Sequence, residues 1–304
     1  MLKPVNPEQF VRMREQMLKA RGYRDRQSYK NRNPIDFKDV AYLTMASNWN
    51  ELGFMVPREK CIWGHGWRCC PGESPFVNFY RLEESLDEFY NHHCPDNFLE
   101  AITLSYGNKK SNFVPNPEPL KAPWSYTINS MSYIDGQSKK GEKGLGIEHG
   151  HQHNGPVTLE KLSLEKKRLR NVFNSIQNRG YNISRYGDTP IRVQFLVKRK
   201  EFLCVIGSAQ HRSSALSALG WQSLPVIQHP NVPRLITEQH LDLLAGKAYP
   251  EESLHVVKTV FDAYFDETLR KKRKQALEHW MKLAEAKVSQ CQPTSNKSNS
   301  IVEF

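Results

Sequence analysis

The triplet Gln210-His211-Arg212, three residues beyond Gly207, combines side chains suited to holding an anion. Arg212 offers five N–H donors in a rigid fork that matches phosphate geometry, and His211 adds an imidazole able to donate or accept a proton. Phe202 to Ile206 is a short apolar run of the kind that forms a buried strand. Gly207 breaks it, and Arg212 to Leu219 is a helix closed by Gly220. The polar stretch between them is therefore expected at a strand-to-helix turn, where unpaired backbone N–H groups and the positive end of the helix dipole face outward. These features predict an anion site built from Gly207, Ser208, Gln210, His211, Arg212 and Ser213.

Two further groups carry metal-ligating side chains. His149, His151 and His153 alternate, so an extended backbone would place the three rings on one face, with Glu148 beside them. Three imidazoles suit Zn²⁺ or another first-row divalent ion. A Gly-flanked surface loop also commonly holds histidines without a metal, and the same loop is placed to contact a substrate or a phosphate. Cys61, His65, Cys69 and Cys70, followed by His92, His93 and Cys94, supply enough soft ligands for a structural Zn²⁺. Their irregular spacing, with Trp63 and Trp67 among them, equally fits thiols packed in a core.

The elements that must position the triplet are legible on either side of it. Leu169, Val172, Phe173 and Ile176 share one helix face, which Gly180 terminates. Ile191, Val193, Phe195 and Val197 alternate as a half-buried strand after Pro190, and Lys198 to Glu201 turn into the next strand. Leu224 to Ile227 is a returning strand.

Taken in order, Ser175-Ile176, Gly180-Tyr181, Pro190-Ile191-Arg192-Val193, Gly207, His211-Arg212, Ala215-Leu216, Leu219-Gly220 and Leu224-Pro225-Val226 resemble the fold shared by ParB partition proteins, sulfiredoxins and free-serine kinases. The resemblance spans roughly residues 157 to 227. It implies an α+β fold: a ParB/sulfiredoxin-like mixed core with an additional aromatic-rich N-terminal region and C-terminal helices. It also implies that the turn holds the phosphates of ATP or CTP, with Mg²⁺. Gln210 stands where sulfiredoxins carry their catalytic Cys and partition proteins a Glu, so neither sulfinic acid reduction nor CTP gating is implied. The triplet is closest to kinase-like or uncharacterised bacterial members, some of which occur beside surface-polysaccharide genes. In kinase-like relatives a glutamate near the nucleotide activates the substrate hydroxyl. Glu165, on the helix before Ser175, is the preferred candidate for that role, with His211 as its catalytic partner, while an exposed Glu165 paired with a neighbouring arginine is the competing reading. The function that the resemblance implies is a phosphotransferase acting on a hydroxyl of a small metabolite or sugar, with a link to surface-polysaccharide metabolism. The alternative is a non-catalytic nucleotide-sensing or DNA-binding protein.

The whole chain has 304 residues, 38% of them hydrophobic, with 14 Phe, 12 Tyr and 6 Trp, enough for a sizeable core. Five stretches are expected: a basic amphipathic arm over 1–40, an aromatic-rich region with a Pro-rich linker over 41–145, the nucleotide-binding core over 146–230, a helical extension over 231–270, and a basic, disordered tail over 271–304. The formal charge of +11 points to polyanionic partners, contacted nonspecifically through Arg270 to Lys274 and the tail. No apolar run approaches the ~20 residues of a membrane span. The first residues lack the apolar stretch of a signal peptide, and six cysteines in a chain this long do not form a disulfide scaffold. A cytoplasmic protein with free thiols is expected.

Overall fold

The computed structural model describes residues 53–106, 122–125, 145–181, 190–229, 233–245 and 254–291, together with Phe37 and Val40. In chain order the strands and helices are β1 (Phe54–Pro57), β2 (Cys61–Trp63), α1 (Pro75–Asn78), α2 (Ser85–His92), α3 (Phe98–Thr103), α4 (Leu159–Arg179), β3 (Arg192–Lys198), β4 (Glu201–Ser208), α5 (Gln210–Ala218), β5 (Ser223–Gln228), β6 (Leu235–Thr237), α6 (Leu241–Leu243), α7 (Leu254–Phe265) and α8 (Glu267–Cys291). The architecture is α+β.

The described strands form one six-stranded mixed sheet in the order β1-β5-β3-β4-β2, with β6 beside β3. The hairpin β3–β4 is antiparallel and aligns Phe195 with Cys204. β5 lies parallel to the start of β3 and antiparallel to β1, while β2 lies parallel to β4. Period-two alternation sends successive side chains to opposite faces. Phe202, Cys204 and Ile206 join Val193, Phe195, Leu224 and Val226 in one core, under α4 and α5. Leu203, Val205 and Leu196 join Trp124, Val260, Phe261 and Tyr264 in a second core on the other face. Both faces are therefore covered, which explains the continuous apolar run of β4 and means that β3, expected to be half-buried, is covered on both sides.

Three expectations change. The 146–230 core is not a separate unit, because β1 and β2, from the aromatic-rich stretch, complete its sheet. The 231–270 extension is not purely helical, since β6 pairs with β3. The basic run does not open a disordered tail. Residues 267–291 form a 25-residue helix that buries Leu277, Trp280, Met281 and Ala284. Arg270 pairs with Glu73 at 2.7 Å and Arg273 is buried, so Lys271, Lys272 and Lys274 remain exposed from that run. The predicted arm over 1–40 apart from Phe37 and Val40, most of the Pro-rich linker and residues 292–304 lie outside the described residues. No helix of the described residues is long and apolar enough to cross a membrane.

Candidate functional site

β4 runs through Gly207 to Ser208, two residues beyond the predicted end at Ile206, and the chain turns at Ala209. Ala209 adopts the left-handed conformation, φ 66° and ψ 38°, directly before helical Gln210. That sequence of conformations gathers successive backbone N–H groups into a concave nest, and it is strained for a residue with a Cβ. No side chain caps α5. Ser213 and Ser214 turn inward, donating to the Gln210 carbonyl at 2.8 Å each, and the Arg212 and Ser213 N–H groups donate to the Ala209 carbonyl at 3.1 Å, so the nest is offered by the N–H groups that precede them. Gly207 lies against His229, whose Cδ2 would stand 3.1 Å from an added Cβ.

α4 supplies the other wall. Thr158 caps it by accepting from the Lys161 N–H, and Lys161, Glu165 and Leu169 then follow one another at i, i+4 spacing on the inward stripe. Glu165 is fully buried. One of its oxygens accepts from Arg168 at 2.8 Å and lies 3.0 Å from the Lys161 ammonium; the other lies 2.7 Å from His211 Nε2. The His211 ring stacks on Phe76 at 5.5 Å and 23°. Burial alone would raise the Glu165 carboxyl, but His211 first, then Lys161 and Arg168, hold it far below the usual carboxylate range. One carboxylate thus faces two permanent cations and an imidazole, with Arg212 almost fully buried on the same helix turn. Among the described residues this corner carries an excess of positive charge suited to an anion.

The histidine loop reaches the same corner, but not as a single face. Gln152 donates to the Gln210 side chain at 2.9 Å, and His151 and His153 stand 5.6 Å apart, ring to ring. His153 also lies within electrostatic reach of Glu165 and His211. His149 sits elsewhere: Ile147–His149 is a short 3-10 turn, and His149 lies 2.9 Å from the Thr158 hydroxyl at the start of α4. The predicted alternation fails because the chain turns back on itself between His151 and Asn154. No grouping of three or more His, Cys, Asp or Glu side chains among the described residues is placed to hold a metal ion.

The second predicted ligand group also disperses. Cys61 pairs in register with Cys204, Cys69 lies 3.8 Å from the Ser213 hydroxyl, and His92 turns to Glu88 at 3.3 Å. Cys61, Cys69, Cys70, Cys94 and Cys204 are free thiols. Burial pushes the Cys70 and Cys94 thiols up to about 11. His65 and His93 instead face each other, Nδ1 to Nε2, at 3.3 Å, and His65 stands 6.0 Å from the His153 ring. Lys161, Arg168, Gln152, His65 and His93 are the members of the constellation that the triplet did not reveal. The first two were readable from their spacing to Glu165, the others only from tertiary contacts.

His93 and His153 are both pushed well below the ordinary imidazole value, mainly by burial and then by neighbouring imidazoles. In the unfolded chain they take up protons at about pH 6.5, whereas in the folded protein they do so only at lower pH. The unfolded state therefore binds more protons across that window, and stability rises with pH through it. Urea unfolding is expected to show a lower midpoint at about pH 5.5 than at about 7.5, with a shallower dependence in His93→Gln. A midpoint that is flat or higher at the acidic end would contradict this.

The site is thus a buried carboxylate–imidazole pair beside an uncapped strand-to-helix nest in an α+β protein. Comparison with family models, with curated proteins and with solved structures finds no match for the chain.

Proposed function

We propose that the chain binds ATP or CTP by its phosphates at the Gly207–Ser213 turn, with Mg²⁺, and transfers a phosphoryl group to a hydroxyl of a small metabolite or sugar. The observation that supports this reading is the Glu165 cluster abutting the α5 nest, where donors, fixed cations and a carboxylate-held imidazole converge. Phosphoryl transfer asks the protein mainly for positioning and charge neutralisation. Arg212, Lys161 and the nest N–H groups would hold the phosphate oxygens. His211 Nε2 is engaged by Glu165, which leaves Nδ1 to accept the hydroxyl proton. The acceptor oxygen then bonds to the terminal phosphorus, the bond to the bridging oxygen breaks, the nucleoside diphosphate leaves, and the proton remains on His211. Membership of the ParB/sulfiredoxin-like superfamily and a cytoplasmic location go with this reading, and Lys271, Lys272 and Lys274 remain for polyanion contact.

Calorimetry with ATP and CTP tests it. Arg212→Ala removes charge-assisted hydrogen bonds of about 1.5 to 3 kcal/mol and is expected to weaken the bound nucleotide by roughly ten- to a hundredfold. Equal affinity in variant and parent, or no affinity in the parent, would sink the reading. His211→Gln should retain nucleotide and lose diphosphate release. A parent that binds nucleotide without turning over any acceptor would favour the sensing alternative.

A further inference from the structure

Arg273 lies on the inward face of α8, only 3% exposed. A guanidinium keeps its proton in this setting, and burying one without an anion costs several kcal/mol. Among the described residues no carboxylate comes within ion-pair distance of it. Asp266, a carboxylate within electrostatic reach of it, is engaged with the Thr268 and Leu269 N–H groups at the start of α8. One terminal nitrogen of Arg273 donates to the Ile102 carbonyl, and Nε has no acceptor. Gly66, at φ +82°, lets the backbone lie flat on the guanidinium: an added Cβ would stand 2.6 Å from Cζ.

Besides the Ile102 carbonyl, the polar groups around it include the Tyr264 and Tyr106 hydroxyls, the Arg68 guanidinium and the His93 imidazole. His93 is within electrostatic reach of Arg273, hydrogen-bonds Tyr106 through Nδ1 at 2.5 Å, and meets His65 through Nε2. From His65 the polar seam continues past His153 to Glu165 and His211. A seam of this kind, with its one carboxylate at the far end, is complementary to an acidic group set back from a reacting hydroxyl.

We propose that Arg273, His93, His65 and Tyr106 form a subsite for an oxyanion carried by the acceptor, so that the acceptor is an acidic hydroxy compound such as a sugar phosphate or a uronic acid. The word acceptor rests on the phosphotransfer reading; the oxyanion subsite does not. It takes a phosphate or a carboxylate, both of which present oxygens to a guanidinium fork.

Calorimetry on the full chain, at constant ionic strength, would use inorganic phosphate, glucose 6-phosphate and glucuronate in separate arms, with glucose as the neutral control. The Arg212→Ala background removes competition from the α5 turn. In that background at least one of the three anions is expected to bind, glucose is not, and Arg273→Gln is expected to weaken the anion at least tenfold. The arm that binds identifies phosphate or carboxylate as the preferred group. No anion binding in the Arg212→Ala background, or equal binding with and without Arg273, would overturn the subsite while leaving the nucleotide measurement to stand or fall alone. If Arg273→Gln does not fold, Tyr106→Phe carries the test: several-fold weaker anion binding is expected, and unchanged affinity overturns the proposal.

Discussion

Replacing Glu165 by glutamine is expected to destabilise the protein by about 3 to 5 kcal/mol and to abolish any turnover. The carboxylate is fully buried and is the shared partner of Lys161, Arg168 and His211. Glutamine keeps the volume, so the loss is electrostatic rather than a cavity effect. It takes the Glu165 charge away from the Lys161 ammonium, itself 1% exposed, in a medium where losing an opposite charge is far costlier than in water. A second substitution separates this cause from a general packing defect: Lys161→Met in the same chain removes the charge that Glu165 had balanced and should recover part of the stability, without restoring turnover. Urea unfolding of the two single variants and the double variant closes the cycle. Additive losses would mean that Lys161 and Glu165 are not coupled. The pair also gives acid sensitivity of definite sign. Glu165 is held below its unfolded value, so its contribution is present above about pH 4.5 and is lost as pH falls towards the depressed value.

The parts of this site that local chemistry dictates were readable in advance. Gln210-His211-Arg212 lies at the start of a helix fed by an apolar strand, because Gly207, the apolar run and Gly220 leave few other arrangements. Glu165 faces inward because it is one turn before Leu169, whose place in the core the apolar spacing predicts. The end of the strand was misplaced by two residues, at Ile206 instead of Ser208, although Ala209 lies inside the expected turn. Gly207 marks a position where His229 packs closely, and the strained turn falls on Ala209, which carries no turn signal of its own. His65 and His93 lie 28 positions apart, and nothing in either local sequence says that their rings meet. The same holds for β1 and β2, whose short runs are strands only because β5 and β4 offer them an edge. The Arg270–Lys274 run misled for a different reason: a charge count cannot distinguish a solvated face from one whose arginines turn inward. Leu277, Trp280 and Ala284, at i, i+3 and i+7, were the signal that the helix has a buried side.

Ending the chain after Asp266 is therefore expected to unfold the protein rather than merely reduce its affinity for polyanions. Trp280 packs against Trp67 at 5.9 Å and Phe89 at 6.0 Å, and its ring lies parallel to His92. Removing a buried Trp side chain costs about 3 to 5 kcal/mol and a buried Leu about 2 to 5. Whole domains are stable by about 5 to 15 kcal/mol. Trp280 and Leu277 alone thus represent most of the margin before Met281 and Ala284 are counted. Glu88, 2% exposed, would also lose the Lys287 ammonium and, among the described residues, be left with His92. By contrast Arg270→Ala breaks a pair at the partly exposed edge of the helix and should cost no more than about 1 kcal/mol. Circular dichroism and tryptophan fluorescence on heating distinguish the two ideas. The truncated chain should lack the cooperative transition of the parent, Trp280→Ala should lower its midpoint markedly, and Arg270→Ala should leave it nearly in place. A truncated chain that melts like the parent would show that α8 is an appendage, and Arg273 could then not be part of an internal site.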